Sequence, residues 1–102
     1  LPVPGIEQKT LAYGEKTLMT EFLLKKGSTL PIHKHSHEQI GYLVAGHIRL
    51  LIDSKEYDVK PRDSWCIPGF VEHGAEIIED AIAVEVFSPV REDYLPKADC
   101  ER

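Results

Sequence analysis

The chain has 102 residues, 42% of them hydrophobic, which fits one folded domain (1–102) with a small core. Its net charge of −5 and scattered basic residues exclude a nucleic-acid groove, which needs a concentrated positive face. No apolar run is long enough to span a membrane, and no charged start, apolar stretch and cleavage site mark a secretory signal.

The two cysteines, Cys66 and Cys100, lie far apart and form neither a metal nor a redox spacing, which points to a reducing cytoplasm. Cys66, between Trp65 and Ile67, is expected to be a small buried hydrophobe. A chain this short buries limited apolar surface, so a homodimer is expected. The sequence opens on Leu1 rather than Met, which points to a missing N-terminal piece.

Helical periodicity is nearly absent. Short β-rich segments recur between Gly, Pro and Asp, as in a sandwich or small barrel. Residues 17–24 read as a strand, and so do 40–44 and 46–52. In the last of these, Ile48, Leu50 and Ile52 alternate with His47, Arg49 and Leu51. Asp53-Ser54-Lys55-Glu56 reads as a hairpin connection into 57–59. Pro61-Arg62-Asp63-Ser64 is a turn before 65–67, and Tyr42 and Trp65 read as core. Two further strands, 75–78 and 81–87, flank an expected turn at Glu79-Asp80. In 81–87, Ile82, Val84 and Val86 share one face, while Ala83, Glu85 and Phe87 share the other. A carboxylate beside an aromatic ring on one face can line a pocket. The polar tail from Pro89 onward is expected to pack on the outside.

The chemistry concentrates at His33-Lys34-His35-Ser36-His37-Glu38-Gln39. Five histidines occur in the chain, and three of them fall in this stretch. On an extended strand His33 and His35 share a face, so both imidazoles can reach one ion. Gln39 has the same parity and offers an amide oxygen. His37 shares that parity too and competes with Gln39, a bulge between them deciding the matter. His73, after Ile67-Pro68-Gly69-Phe70, is a further candidate. Three imidazoles and one oxygen suit one divalent transition metal, and ligand softness does not choose between zinc, nickel, iron and manganese. With Gln as the fourth ligand the ion keeps its full charge, which favours Lewis acidity and an anionic partner but weakens retention relative to Glu.

The spacing of Gly27, His33, His35, Gln39 and Gly46 resembles the first motif of the cupins, with Gln in place of Glu. Pro68 and His73 fit the second motif. Arg62 stands where that motif has its first Gly, and its second Gly has moved one place, to Gly69. The resemblance covers 27–73 and implies an all-β, single-domain jelly roll, the double-stranded β-helix barrel. A narrower resemblance, carried by His33 to Tyr42, is to the small cupins of pectin and alginate breakdown. It implies His33, His35, Gln39 and His73 as metal ligands. In those proteins an acidic residue, one spacer, Phe, three spacers and Arg follow, and Glu85, Phe87 and Arg91 have that spacing, with Glu for Asp.

That resemblance implies a metal-dependent conversion of 4,5-unsaturated monouronates, small anionic carbohydrates, to linear keto sugars. In it Glu85 shuttles a proton, Arg91 grips the substrate carboxylate by two hydrogen bonds and Phe87 packs on the ring. Read as residues alone, Arg91 also suits a surface cation paired with Glu92 or Asp93. Phe87 suits core packing, and Arg49 is a second pocket cation. Two other functions fit the ligand set: a metal-dependent dioxygenase, and a module that binds a sugar acid without turnover.

Overall fold

The computed structural model describes residues 3–96, so Cys100 lies outside the described residues. The strands are β1 (Ile6–Tyr13), β2 (Leu18–Leu24), β3 (Thr29–His33), β4 (Glu38–Ile52), β5 (Lys55–Val59), β6 (Ser64–Ile67) and β7 (His73–Ser88), followed by a 3-10 turn at Glu92–Tyr94. All pairings are antiparallel.

Two long strands organise the rest. β4 and β7 pair from Glu38↔Ser88 to Ile52↔His73 and serve two sheets at once. The first half of β4 and the second half of β7 carry β6 on one side and β2, then β1, on the other. The other halves carry β5 and β3. This double use is the jelly-roll architecture, in which strands switch sheets at bends and bulges.

The bend lies where the β4–β7 register shifts, between Leu43 and Ile48. Gly46 sits there at φ +93°, and a Cβ on it would meet the Asp80 carbonyl at 2.2 Å. The bulge switches the inward parity of β4. Gln39, Gly41 and Leu43 point inward before it, and Ile48 and Leu50 after it. β7 keeps one parity throughout, so His73, Ile77, Ala81, Ala83 and Phe87 are all buried. Leu43, Ile48, Leu50, Val59, Ile77, Ala81 and Ala83 form the core.

Four expectations need correction. The segments 40–44 and 46–52 are one strand, because the bulge bends the chain without breaking its pairing. Glu79-Asp80 is no turn, since β7 runs on past it opposite that bulge. Tyr42 is 45% exposed rather than core, because Gly41 and Leu43 take the inward positions. Cys66 is exposed rather than buried, because Trp65 and Ile67 turn inward on either side. β1 was not anticipated from its mixed polar pattern. A hairpin forms here as expected, but its connection is only Asp53-Ser54, with φ 52° and 68°, the left-handed pair of a two-residue turn, and Lys55 and Glu56 already belong to β5.

Arg62 and Phe70 occupy the positions where the second cupin motif has glycine. Both have positive φ, 80° and 64°. The backbone keeps the conformation that glycine adopts freely, and these side chains accept the strain.

Candidate metal centre

β3 and β7 bring His33 and His73 opposite one another in register. His35 follows in the loop after β3. The loop before β7 fixes that segment, because the Phe70 N–H donates to the His35 carbonyl at 2.7 Å. The ring centroids lie 4.3 Å (His33–His73), 4.9 Å (His35–His73) and 5.6 Å (His33–His35) apart. One ligand atom from each falls within 4.8 Å of the others. These three side chains present the donor atoms that would hold one ion.

Each ring is oriented by a backbone carbonyl. His33 Nδ1 meets Pro31 O at 2.9 Å, His35 Nδ1 meets His37 O at 3.0 Å, and His73 Nδ1 meets Val71 O at 2.8 Å. A carbonyl oxygen only accepts, so each Nδ1 is the donor, and in the neutral imidazole each Nε2 then presents a lone pair. Burial, helped by the nearby charge of Arg91 and by the other imidazoles, pulls His35 down from 6.5 to about 4. Burial also lowers His73. Both are therefore neutral near pH 7, the form a metal needs.

Gln39 lines the same cavity, directly before Gly41 on the inward face of β4. Its Nε2 donates to Glu85 Oε2 at 2.8 Å, which fixes the amide. Its Oε1 is buried and accepts nothing from the described residues. Such an orphaned acceptor beside three imidazole lone pairs fits a cation. His37 stands outside the group of three and contributes its carbonyl to His35 instead.

Glu85 accepts a second hydrogen bond on the same oxygen, from Trp65 Nε1 at 2.9 Å. Gly41 makes this possible, because a Cβ there would lie 2.2 Å from the Trp65 ring. Burial raises the Glu85 carboxyl above its ordinary range, against the lowering effect of the two bonds and of Arg91.

Arg91, after β7, lies over the Phe87 ring at 5.0 Å and over the Tyr94 ring at 4.2 Å. Tyr94 packs edge-on to Phe22 and Phe87. Arg91 and Tyr94 therefore wall the cavity rather than packing on the outside, while the tail beyond Pro96 lies outside the described residues. Arg91 pairs with Asp93, as its reading as a paired cation expects, and it also lines the cavity. Phe87 is 1% exposed and forms floor beneath Arg91 and His35. Arg49 is exposed and pairs with Glu76, outside this cavity. Trp65 and Tyr94 are site residues that the sequence reading missed. Trp65 reads as core without knowledge of Gly41 beneath it, and Tyr94 lies in a segment with no strand pattern.

The cupin domain family (Cupin_2) matches residues 20–89. The pectin degradation protein KdgF of Dickeya dadantii (strain 3937) is 29% identical over 93 residues, which cover 89% of this chain and 84% of that protein. The structure of KdgF from Halomonas sp. superposes with a TM-score of 0.87 at 31% identity, covering 90% of this chain and 86% of the other. An RmlC-like cupin from Shewanella frigidimarina NCIMB 400 superposes at 0.86 with 28% identity, covering 89% and 82%. The bent antiparallel strands, the histidine group between their ends and this family match make the chain a member of the cupin family.

Proposed function

We propose that the protein is a metal-dependent enzyme of pectin or alginate breakdown that converts 4,5-unsaturated monouronates to linear keto sugars. The observation that carries this reading is the convergence of three imidazole Nε2 lone pairs and the orphaned Gln39 Oε1 in a cavity also walled by Arg91 and Glu85. The similarity to KdgF supports the pathway. The cavity offers about 100 Å³ to the centres of water molecules, where one water needs ~10–15 Å³. That suits one small molecule rather than a polymer.

His33, His35, Gln39 and His73 are the proposed ligands of one divalent ion. When bound, the ion supplies Lewis acidity for negative charge that develops on a substrate oxygen. Arg91 grips the uronate carboxylate, and the Phe87 floor supports its guanidinium. Glu85 moves the proton. Both N–H donors sit on its Oε2, so Oε1 is the oxygen that carries a proton to or from substrate. The anomeric hydroxyl loses its proton as the bond from the anomeric carbon to the ring oxygen breaks, which leaves an aldehyde and an enol; the enol becomes a ketone as the neighbouring double-bond carbon gains a proton, so the conversion is an isomerisation that balances without an oxidant.

The protein is further proposed to act as a homodimer. Ile40, Tyr42 and Val44 of β4 and Met19 and Leu23 of β2 are exposed on the outer sheet. Val84 and Val86 lie between them on β7, in register with Tyr42, Ile40 and Met19. A second copy covering this apolar stripe would supply the burial a small core lacks.

The test is a time course with metal-analysed protein and 4,5-unsaturated galacturonate generated in place, following the double-bond absorbance with and without chelator. Accelerated, chelator-sensitive loss is expected. A rate equal to the spontaneous one for this and the alginate-derived monomer rejects the reading. Oxygen uptake would point to dioxygenase chemistry, and binding without conversion to a sugar-acid-binding module.

A further inference from the structure

Asp93 is not among the residues that the preceding reading uses, yet it is the group that fixes Arg91. Its two carboxylate oxygens take Arg91 Nε at 3.1 Å and Nη2 at 2.7 Å. This is the side-on edge of the guanidinium. Of the five N–H donors of an arginine, three remain: both on Nη1 and the second on Nη2. None of these three has a partner among the described residues. Tyr94 and Phe87 lie against the guanidinium. What stays available is the end-on Nη1–Nη2 fork, the geometry that takes a carboxylate by two parallel bonds.

The frame that holds Asp93 is itself tied to the barrel. Thr10 on β1 donates its hydroxyl to the Tyr94 carbonyl at 2.5 Å, and the Tyr94 ring wedges against Phe22 and Phe87. Asp93 thus sits in a turn anchored on both sides, at Arg91 and at Tyr94. Arg91 lines the cavity that contains His33, His35 and His73, and its charge is felt by the His35 and His73 imidazoles. A carboxylate held on that fork within the cavity would share it with the histidine group. A flexible arginine would lose more rotamer freedom on binding than one already held.

We propose that Asp93 is a positioning residue for carboxylate recognition, locking the side-on edge of Arg91 so that its end-on fork stands ready for the substrate's acid group. The proposal rests on the reading of Arg91 as the carboxylate anchor. It makes Asp93 a determinant of preference for acids over neutral sugars, although Asp93 itself repels an acid.

The experiment compares binding of galacturonate and galacturonamide to the metal-loaded wild-type protein, Asp93→Ala and Arg91→Ala, with the Arg91 Nε–H resonance followed by NMR. Asp93 is exposed, so its replacement leaves the barrel intact. The expected result is that Asp93→Ala weakens galacturonate about tenfold, the lower end of what supporting residues contribute at metal ligands. Galacturonamide affinity stays unchanged, and the Nε–H signal broadens. Arg91→Ala should abolish the preference. If Arg91→Ala abolishes it but Asp93→Ala leaves preference and signal unchanged, the role of Asp93 is overturned while that of Arg91 stands. Tighter galacturonate binding by Asp93→Ala would make Asp93 a competitor and also overturn the proposal. No preference in the wild-type protein, or one that survives Arg91→Ala, overturns the reading of Arg91 and this proposal with it.

Discussion

Gln39 and Glu85 sit diagonally across the β4–β7 pairing, Gln39 opposite Phe87 and Glu85 opposite Gly41, and a 2.8 Å bond from Gln39 Nε2 to Glu85 Oε2 joins them. With the nitrogen committed to Glu85, the buried Oε1 is left as the free acceptor. The proposed ligand oxygen and the proposed proton carrier are thus coupled. A change at either alters the other, and the two functions need different substitutions to separate them.

Glu85→Gln is the separating change. Its amide oxygen can still accept from both Gln39 and Trp65, so fold and metal content should stay as in the wild type. Turnover should fall about 10²–10⁴-fold if residue 85 moves the proton. Metal analysis and the double-bond absorbance assay check this together, and retained turnover would move the proton shuttle elsewhere.

Gln39→Leu keeps the bulk of the side chain and removes the oxygen. Metal affinity, measured by competition with a chelator, should drop by roughly 10–100-fold, as for supporting groups at other metal sites. Affinity within twofold of the wild type would exclude Gln39 as a ligand. His37 would then be the next position to substitute.

The depressed pKa of His35 gives the metal-free protein a defined acid response. Burial holds His35 near 4 in the folded state against 6.5 for an unhindered imidazole, and it lowers His73 in the same direction. Between those two values the unfolded chain binds a proton that the folded chain refuses. Stability should therefore decline as pH falls from about 6.5 toward 4, and level off above 6.5. Urea unfolding of metal-free protein across this range reads the slope, and a flat profile contradicts it.

Backbone strain at the two motif positions predicts stabilising substitutions. Phe70→Gly and Arg62→Gly relieve side chains held at φ 64° and 80°. Each should raise stability by up to ~1 kcal/mol, the strain released exceeding the entropy that glycine adds to the unfolded chain. Phe70 is 69% exposed, so little packing is lost there. A lower denaturation midpoint for both variants would rule this out.

The outer stripe gives a test of assembly. Ile40→Lys places a charge where a partner copy would bury an isoleucine that is 52% exposed in one chain. Sedimentation should show a dimer for the wild type and a monomer for the variant. A monomeric wild type removes the case for this interface.

The histidine end of the molecule was legible because its signals are local. Close spacing marked His33 and His35 as neighbours, although β3 ends at His33 and the loop rather than strand parity brings His35 in, and the motif spacing pointed to His73 and to Gln39, which lines the same cavity. The inward face of Ala83, Glu85 and Phe87 followed from strand alternation. What escaped depends on contacts across the fold. Trp65 reaches Glu85 only because Gly41, on a neighbouring strand, has no side chain in the way. Glu79-Asp80 has the composition of a turn, and only the opposing bulge shows that β7 continues. Tyr94 enters the cavity through a short tail whose sequence carries no periodicity.

The three carbonyls that orient the histidines come from Pro31, His37 and Val71, each two residues from the ring it holds. The electron-pair donors are therefore aimed by their own short segments of chain and owe nothing to the far wall of the cavity. The groups proposed to recognise substrate, by contrast, arrive on the last turn. Descendants of this fold could exchange that turn, and with it the proposed substrate contacts, while the self-aimed histidine group passes unchanged from one specialisation to the next.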